Sequence, residues 1–519
     1  MPATTSEAWL GRVVGHSVTE IRFRASYGAA VYIGDILVAE DEDSGERFLL
    51  RVTNLSYGAE AASPDWMERT AGAMLRLPEG ALAEKDLRLY LVGHCSLLGY
   101  VRGRTFRKAK TLPAHFSRVR RASVADWDFL AAYAGDLEVG WLRSGEELIQ
   151  VPIGIRGAEA IPHHIGVFAT TGMGKSNLMK VLAASAISSG QYGVLILDPH
   201  GEYHDGGSPK RKGLMHHPSA RENLVVYAAR KLKGPHARIQ VSAHEIGAGD
   251  LMNIYEFTGP QREFLDAARH RFGPSWLVDV HERAAGDLGQ AFQGQFHEGT
   301  INVVKRRITR IFRHGLVHRD PAVSITSAIL QQLRAGKVVL VDTGGLFETE
   351  ELLVATVLAR AIFEANKNQF GEPGFEDMPP CLITLEEAQR VLGRGTQAAS
   401  NIFAQIAREG RKFKTGLCAI TQQPKLLDTE VVSQFNTLFI LGLSDQRDRV
   451  ILQDSAKQDV TSLENEIQML MPGEALITSP TVPFAMPVKV HLFEEHLERL
   501  PAPATRAAAA VVVGEDFYR

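Results

Sequence analysis

The chain has 519 residues, of which 45% are hydrophobic and 23% charged, enough apolar material for several buried cores and too much for a disordered or fibrous chain. Its formal net charge is −3, so overall basic character does not draw it to nucleic acid, and any such contact must come from local patches or a focused channel. No apolar run approaches the roughly 18 residues of a membrane span, the N-terminus lacks a signal-peptide layout, and Cys95, Cys381 and Cys418 show no C-x-x-C spacing, which together predict a cytoplasmic protein without a membrane anchor or a thiolate zinc site.

Residues 9–103 carry short alternating segments, at 9–15, 30–40, 47–56 and 87–97, broken by turn material at 41–45 and 78–80. Strands of this length and spacing predict a small β-barrel within residues 1–103. Residues 104–134 follow as a basic linker containing Arg104, Arg107, Lys108, Lys110, Arg118, Arg120 and Arg121. Such a run reads either as a solvated connector or as a surface that feeds DNA or a partner.

From about residue 135 the rhythm turns to α/β. A first core segment, 135–245, opens with an apolar strand at 165–168. A helix with Leu178, Val181, Leu182 and Ala186 on one face then ends near Gly190, before a strand at 194–197. Residues 246–335 are polar with helical periodicity and read as a helical insertion. The core resumes over 336–500, with strands at 338–341, 381–385, 417–420 and 438–441, helices at 350–366 and 399–412, and a last strand pair near 474–477 and 488–490. Strands alternating with helices predict a mainly parallel sheet covered on both faces. Residues 501–519, Ala/Pro-rich and then apolar, read as a C-terminal arm.

Within the first core segment, Ala169-Thr-Thr-Gly-Met-Gly-Lys-Ser176 joins a strand to a helix as a phosphate-binding loop. Gly172 and Gly174 let the backbone curl so that N–H groups face a phosphate, and the helix N-terminus adds its positive end. Lys175 would reach the β- and γ-phosphates of a nucleoside triphosphate, and the Ser176 hydroxyl would ligate Mg²⁺. Ala169 stands where the usual pattern has its first Gly, which suits the loop only if φ there is negative.

Hydrolysis also needs an acidic strand end, and Cys381-Leu-Ile-Thr-Leu-Glu-Glu387 supplies one. Adjacent strand residues face opposite sides, so Glu386 is expected in the Mg²⁺ water shell and Glu387 beside the attacking water. The competing reading is an acid-rich helix start. Gln422, at the end of the next strand, can orient water or sense the γ-phosphate, or it is a turn residue before Pro424. Arg411, then Arg408, are candidates for an arginine finger reaching a neighbouring subunit's nucleotide, against the plainer role of complementing a helix C-terminus. Two basic clusters, Lys210–Lys212 and Lys305, Arg306, Arg307, Arg310 and Arg313, are candidate DNA contacts or ordinary solvated faces.

Taken in order, Ile161-Pro-His-His-Ile-Gly-Val-Phe168, Thr171–Asn177, Asp198-Pro-His-Gly-Glu-Tyr203, Glu386-Glu387, Arg408-Glu-Gly-Arg411 and Thr421-Gln-Gln-Pro424 resemble the HerA family of the HerA–FtsK group of ring ATPases. The fold this implies is a RecA-like P-loop ATPase core with a helical insertion, preceded by a small N-terminal β-barrel. The resemblance assigns nucleotide contacts to Thr171, Gly172, Met173, Gly174, Lys175, Ser176 and Asn177. It implies a homohexamer that translocates double-stranded DNA with ATP and Mg²⁺ and works with a NurA-like nuclease, or another effector, docked on the barrel in end processing or antiphage defence. The alternative is a nucleotide-switched ring scaffold that assembles an effector enzyme. Gln423, where the family often shows a basic residue, and Glu386, where the first acid is usually Asp, are departures. The resemblance leaves the roles of Asp198, His200 and Glu202 unassigned.

Overall fold

Strand β2 (Ile21–Ser26) follows β1 (Gly11–Val13) and alternates strictly, with Ile21, Phe23 and Ala25 buried and Arg22, Arg24 and Ser26 facing out. That period-two pattern needs a sheet with one covered face. It finds one by closing on itself with β3 (Ile36–Glu40), β4 (Arg47–Ala59), β5 (Leu89–Arg102), β6 (Thr105–Arg107) and β7 (Arg118–Arg121). The order β2-β1-β7-β3-β4-β5 returns through a β5–β2 pairing, so a six-strand barrel closes and β6 flanks β5 outside the ring. Register shifts between β4 and β5 at Leu49/Leu50 and Val52/Asn54 supply the bend that closure requires. Val13, Phe23, Leu37, Phe48, Leu50 and Val119 fill the interior.

This is a computed structural model, and it describes residues 9–15, 17–42, 44–60, 65–75, 88–208, 211–393 and 401–501. The arm expected over 501–519 therefore lies outside the described residues beyond Pro501.

The segment expected as a basic linker is folded instead. β6 and β7 lie within it, and β7 is wedged between β1 and β3. Buried Arg120 bonds Glu40 and Asp126, each at 2.7 Å, and Arg118 pairs at the surface with Glu42 at 2.9 Å, while Arg104, Arg107, Lys108 and Lys110 are exposed. Charge runs look alike in sequence whether they face water or clamp one strand to the next.

The second sheet is built from β8 (Leu137–Ser144), β9 (Glu147–Ile155), β10 (Ile165–Phe168), β11 (Gly193–Asp198), β12 (Leu224–Ala228) and β13 (Ala237–Arg238). A separate two-strand pair, β14 (Val241–Ser242) and β15 (Val317–His318), brackets the helical region. The large sheet continues with β16 (Val338–Asp342), β17 (Cys381–Leu385), β18 (Thr415–Thr421), β19 (Thr437–Leu441), β20 (Glu474–Thr478) and β21 (Met486–Val490). Its order is β13-β12-β16-β11-β17-β18-β10-β19-β20-β21-β8-β9. Pairing is parallel from β13 to β19 and antiparallel from there to β9. The parallel strands are apolar along their length because helices cover both faces. Their register sets Phe168 beside Thr421 and Asp198 beside Asp342, so the C-terminal ends form one edge.

Between β14 and β16, helices Ala248–Ile254, Gly259–Phe272, Trp276–Glu282, Ala285–Ala291, Glu298–Ile311 and Thr326–Arg334 pack around Phe264, Trp276, Leu277, Val304 and Ile308. The Trp276 indole N–H donates to the Ile246 carbonyl at 2.8 Å, so this large side chain is buried without a lost bond.

Barrel and ATPase sheet are joined by a buried ion triad. Arg51 of β4 donates to both carboxylate oxygens of Glu466, at 2.7 and 2.8 Å, and Arg143 of β8 donates to the same carboxylate at 2.9 Å. Glu466→Ala would leave buried Arg51 without its counter-ion and Arg143 with only Glu474, 4.0 Å away, and the expected loss is about 3–5 kcal/mol. Urea unfolding of the two proteins measures it; a loss below about 1 kcal/mol would show that the triad behaves like an exposed pair.

Candidate active site

The loop after β10 is held from below before it curls. Thr170 donates its N–H and its hydroxyl to the Gly442 carbonyl at 3.1 and 2.9 Å, and the Met173 carbonyl accepts the Gly473 N–H at 3.1 Å. Gly172 and Gly174 have φ of +83° and +101°, conformations that cost an L-residue roughly 1–2 kcal/mol. Ala169 is not among the residues with positive φ, so a methyl group is tolerated where the usual loop has glycine. The helix Lys175–Ser189 starts directly at the turn, with its free N–H groups facing the loop.

Thr171, Gly172, Gly174, Lys175, Ser176 and Asn177 line a cleft of about 530 Å³. Glu386, Glu387 and Gln422 form its opposite wall, and His200, Glu202, Lys180 and Arg211 extend it. Met173 does not line it; its side chain lies against Gly442. The Asn177 amide donates to the His491 carbonyl at 2.7 Å and accepts the Phe493 N–H at 2.9 Å, so it also latches the chain after β21 to the phosphate-loop helix.

The Lys175 ammonium is buried without a hydrogen-bond partner among the described residues. Burial pushes its pKa down, and the charges of Glu387 and Glu386 oppose that shift. A buried ammonium without an acceptor is a costly group that an anion would relieve. Together with the two left-handed glycines and the helix N-terminus, this fits a nucleotide polyphosphate. The Ser176 hydroxyl and the Glu386 carboxylate share the cleft, an oxygen donor set suited to Mg²⁺.

β17 ends at Leu385, and Glu387 has φ of +49°, so the alternation expected for neighbouring strand residues does not operate here. Both carboxylates line the same cleft and are distinguished by their partners. The Tyr203 hydroxyl donates to Glu386. Burial raises the Glu386 pKa, against that hydrogen bond. Glu387 accepts from Gln389 Nε2 at 2.5 Å and from Gln422 Nε2 at 3.3 Å. Gln389 is oriented by the Thr421 hydroxyl at 2.6 Å, and the Gln422 carbonyl accepts from the Thr171 hydroxyl. A polar chain thus runs from the acidic strand to the phosphate loop.

Asp198, at the end of β11, is completely buried and gathers the loop that follows. Its carboxylate accepts from the N–H groups of His200, Gly201, Glu202 and Tyr203 at 3.2, 2.7, 3.3 and 2.9 Å. Asp198 therefore shapes the turn that carries Tyr203 to Glu386 and aligns His200 and Glu202 with the cleft. Tyr203 and Gln389 were not singled out from sequence, although Tyr203 ends the most distinctive stretch and Gln389 follows Glu387 by two positions. Arg211, grouped with a DNA patch from sequence, lines the nucleotide cleft; Lys210 lies outside the described residues.

Arg408 and Arg411 are exposed and sit before β18, at the opposite edge of the sheet. Seven strand residues separate that turn from the cleft end, a distance of about 20 Å. The chain does not bring either arginine to its own cleft. Glu138, His491 and His496 could ligate a metal ion, but Arg499 lies 3.5 Å from both Glu138 and His496 Nδ1 and already supplies a cation there.

A glycine-rich strand-to-helix loop with a buried lysine, facing an acidic strand end across a parallel sheet edge, defines a P-loop nucleoside triphosphatase. Residues 137–362 match the family model described as the central domain of the helicase HerA. The DNA double-strand break repair helicase HerA of Saccharolobus solfataricus is 26% identical over 351 residues, covering 64% of this chain and 65% of the relative. The proteins of the same name from Sulfolobus acidocaldarius and Pyrococcus furiosus are 24% and 25% identical over 372 and 382 residues, covering 70% and 65% of this chain and 71% and 66% of the relatives. The chain thus spans about two thirds of the length of the curated relatives it matches. Among solved structures, the plasmid coupling protein TrwB with a non-hydrolysable ATP analogue is 17% identical, with 70% of this chain and 96% of that one covered at a TM-score of 0.46. Over its central region and about two thirds of its length the chain is thus similar to HerA helicases. No helix among the described residues is long and apolar enough to cross a membrane.

A triphosphate that pairs the Lys175 ammonium must raise its depressed pKa, so binding should take up a proton on the alkaline side, where the free ammonium is partly lost. Calorimetric titration in buffers of different ionisation enthalpy measures this uptake. Lys175→Met should abolish the uptake and weaken binding by about 1.5–3 kcal/mol; undiminished uptake in the variant would assign the proton to another group.

Proposed function

We propose that this chain is an ATP-driven motor that translocates double-stranded DNA as a homohexameric ring, with a NurA-like nuclease or another effector docked on the N-terminal barrel. Similarity to relatives named DNA double-strand break repair helicases supports the ATP-hydrolysing, DNA-translocating activity. The observation that carries the reading is the cleft that holds an unpaired Lys175 ammonium opposite an oriented carboxylate, Glu387.

In this mechanism the loop N–H groups and Lys175 hold the β- and γ-phosphates. Ser176 and Glu386 would hold Mg²⁺, which would supply neutralisation of phosphate charge when bound. Glu387 orients the attacking water and accepts its proton, with Gln389 fixing the carboxylate. Gln422, bonded to both Thr171 and Glu387, reads whether a γ-phosphate is present. The finger must come from another subunit, because Arg411 and Arg408 lie far from their own cleft. The ring stacks one subunit's exposed back edge against the next subunit's site, and Arg411 supplies the charge there. A motor must grip every sequence, so its DNA contacts are directed at phosphates.

The direct test is ATP-dependent stripping of a third strand from a triplex on linear duplex DNA. The reading expects displacement that requires ATP; hydrolysis without displacement would favour the ring scaffold. Glu387→Gln should retain ATP binding and lose about 10²–10⁴-fold in turnover, and normal turnover would remove Glu387 from its role. Arg411→Ala subunits mixed into wild-type rings should depress turnover beyond their own share, whereas strictly proportional loss would exclude a finger acting between subunits.

A further inference from the structure

The helix Glu298–Ile311 divides its cations between two tasks. Ile301, Val304, Ile308 and Ile311 face the core. Lys305 donates to the Val280, His281 and Arg283 carbonyls and so closes the helix Trp276–Glu282. Arg307 bonds the Glu256 carbonyl and lies over the Phe257 ring at 4.6 Å. These two residues are structural. Arg310, and Arg313 just past the helix end, are exposed and make no ion pair among the described residues.

Both arginines line a hollow of about 210 Å³ beyond the end of β16, together with His314 and Phe347. Phe347 is 60% exposed and stands at the lip of this basic hollow. It is also held firmly. The His314 ring lies 4.7 Å from it at an interplanar angle of 31°. Buried Glu350 pairs with His314 Nδ1 at 2.7 Å and accepts the Phe347 N–H at 3.1 Å. Glu350 is thereby satisfied within the fold; exposed Glu348, at the start of the following helix, is the remaining acid beside the ring.

Two uncommitted guanidiniums beside a braced, exposed aromatic ring match the chemistry of an unpaired nucleic-acid strand, with cations for phosphates and a flat apolar face for a base. An intact duplex keeps its bases stacked and offers such a ring nothing to cover it. We propose that Arg310, Arg313 and the His314–Phe347 pair form a contact for an unpaired DNA strand, the guanidiniums taking its phosphates and Phe347 stacking on a base. The proposal rests on the reading of this chain as a DNA motor and adds that the motor holds a displaced or overhanging strand outside its duplex path.

Fluorescence anisotropy of the full chain, with a non-hydrolysable ATP analogue present, tests this with labelled oligothymidine and with a labelled duplex. Arg310→Ala/Arg313→Ala and Phe347→Ala should each weaken oligothymidine binding by about tenfold while duplex affinity moves less than about threefold. The arginine double variant should also flatten the dependence of log affinity on log salt by about 1.4, or about 0.7 for each lost contact. Arg310→Lys/Arg313→Lys should recover most of the affinity, and an unshifted thermal melting transition in every variant controls for folding. Unchanged oligothymidine binding in the variants, or equal loss for oligothymidine and duplex, would overturn the proposal. Wild-type protein that binds neither DNA would overturn the motor reading itself.

Discussion

An ammonium group buried without an acceptor is the constraint around which this molecule is arranged. Lys175 sits where burial disfavours its charge, and no oxygen among the described residues bonds to its Nζ. Two acids face the same cleft, yet each is engaged elsewhere: Glu386 by Tyr203, and Glu387 by Gln389 and Gln422. Carboxylates held off in this way cannot collapse onto the lysine and close the site. The cation is kept for a phosphate, and the energy missing from the free protein becomes available on binding.

Keeping the acids in place is the task of the sheet edge. Asp198 spends its carboxylate on four backbone N–H groups and so fixes the turn that delivers Tyr203. The phosphate loop is tied to the other side of the sheet through Gly442 and Gly473, beyond β19 and just before β20. The same region carries Glu466, whose buried bonds to Arg51 and Arg143 reach the barrel. Nucleotide loop and barrel are thus separated by a short run of chain, 466–473, anchored at both ends.

The phosphate loop and the acidic strand were legible because their chemistry is contiguous in sequence: a turn needing two left-handed glycines and a strand ending in two acids declare themselves locally. The partner of Glu386 was not, because Tyr203 lies 183 residues away and only the parallel register brings the two strand ends together. The rule that neighbouring residues face opposite sides failed at Glu386 and Glu387 because the strand stops at Leu385 and the backbone turns left-handed at Glu387. The basic segment 104–134 was misread for the opposite reason. Its charges are spaced like a solvated connector, and Arg104, Arg107, Lys108 and Lys110 are indeed exposed, while the carboxylate partners of Arg118 and Arg120, Glu42 and Glu40, lie in an earlier part of the barrel. β2 was missed because Arg22 and Arg24 dilute its apolar signal, although they sit on the outer face where cations are harmless.

The central claim is that this cleft spends ATP on moving DNA, and the steady-state rate of ATP hydrolysis with and without linear duplex DNA bears on it most directly. The account predicts strong stimulation by duplex of any sequence, weakening steeply as salt rises, because phosphate contacts release counter-ions. A rate indifferent to DNA at low salt would contradict it and leave a nucleotide-switched ring without a motor.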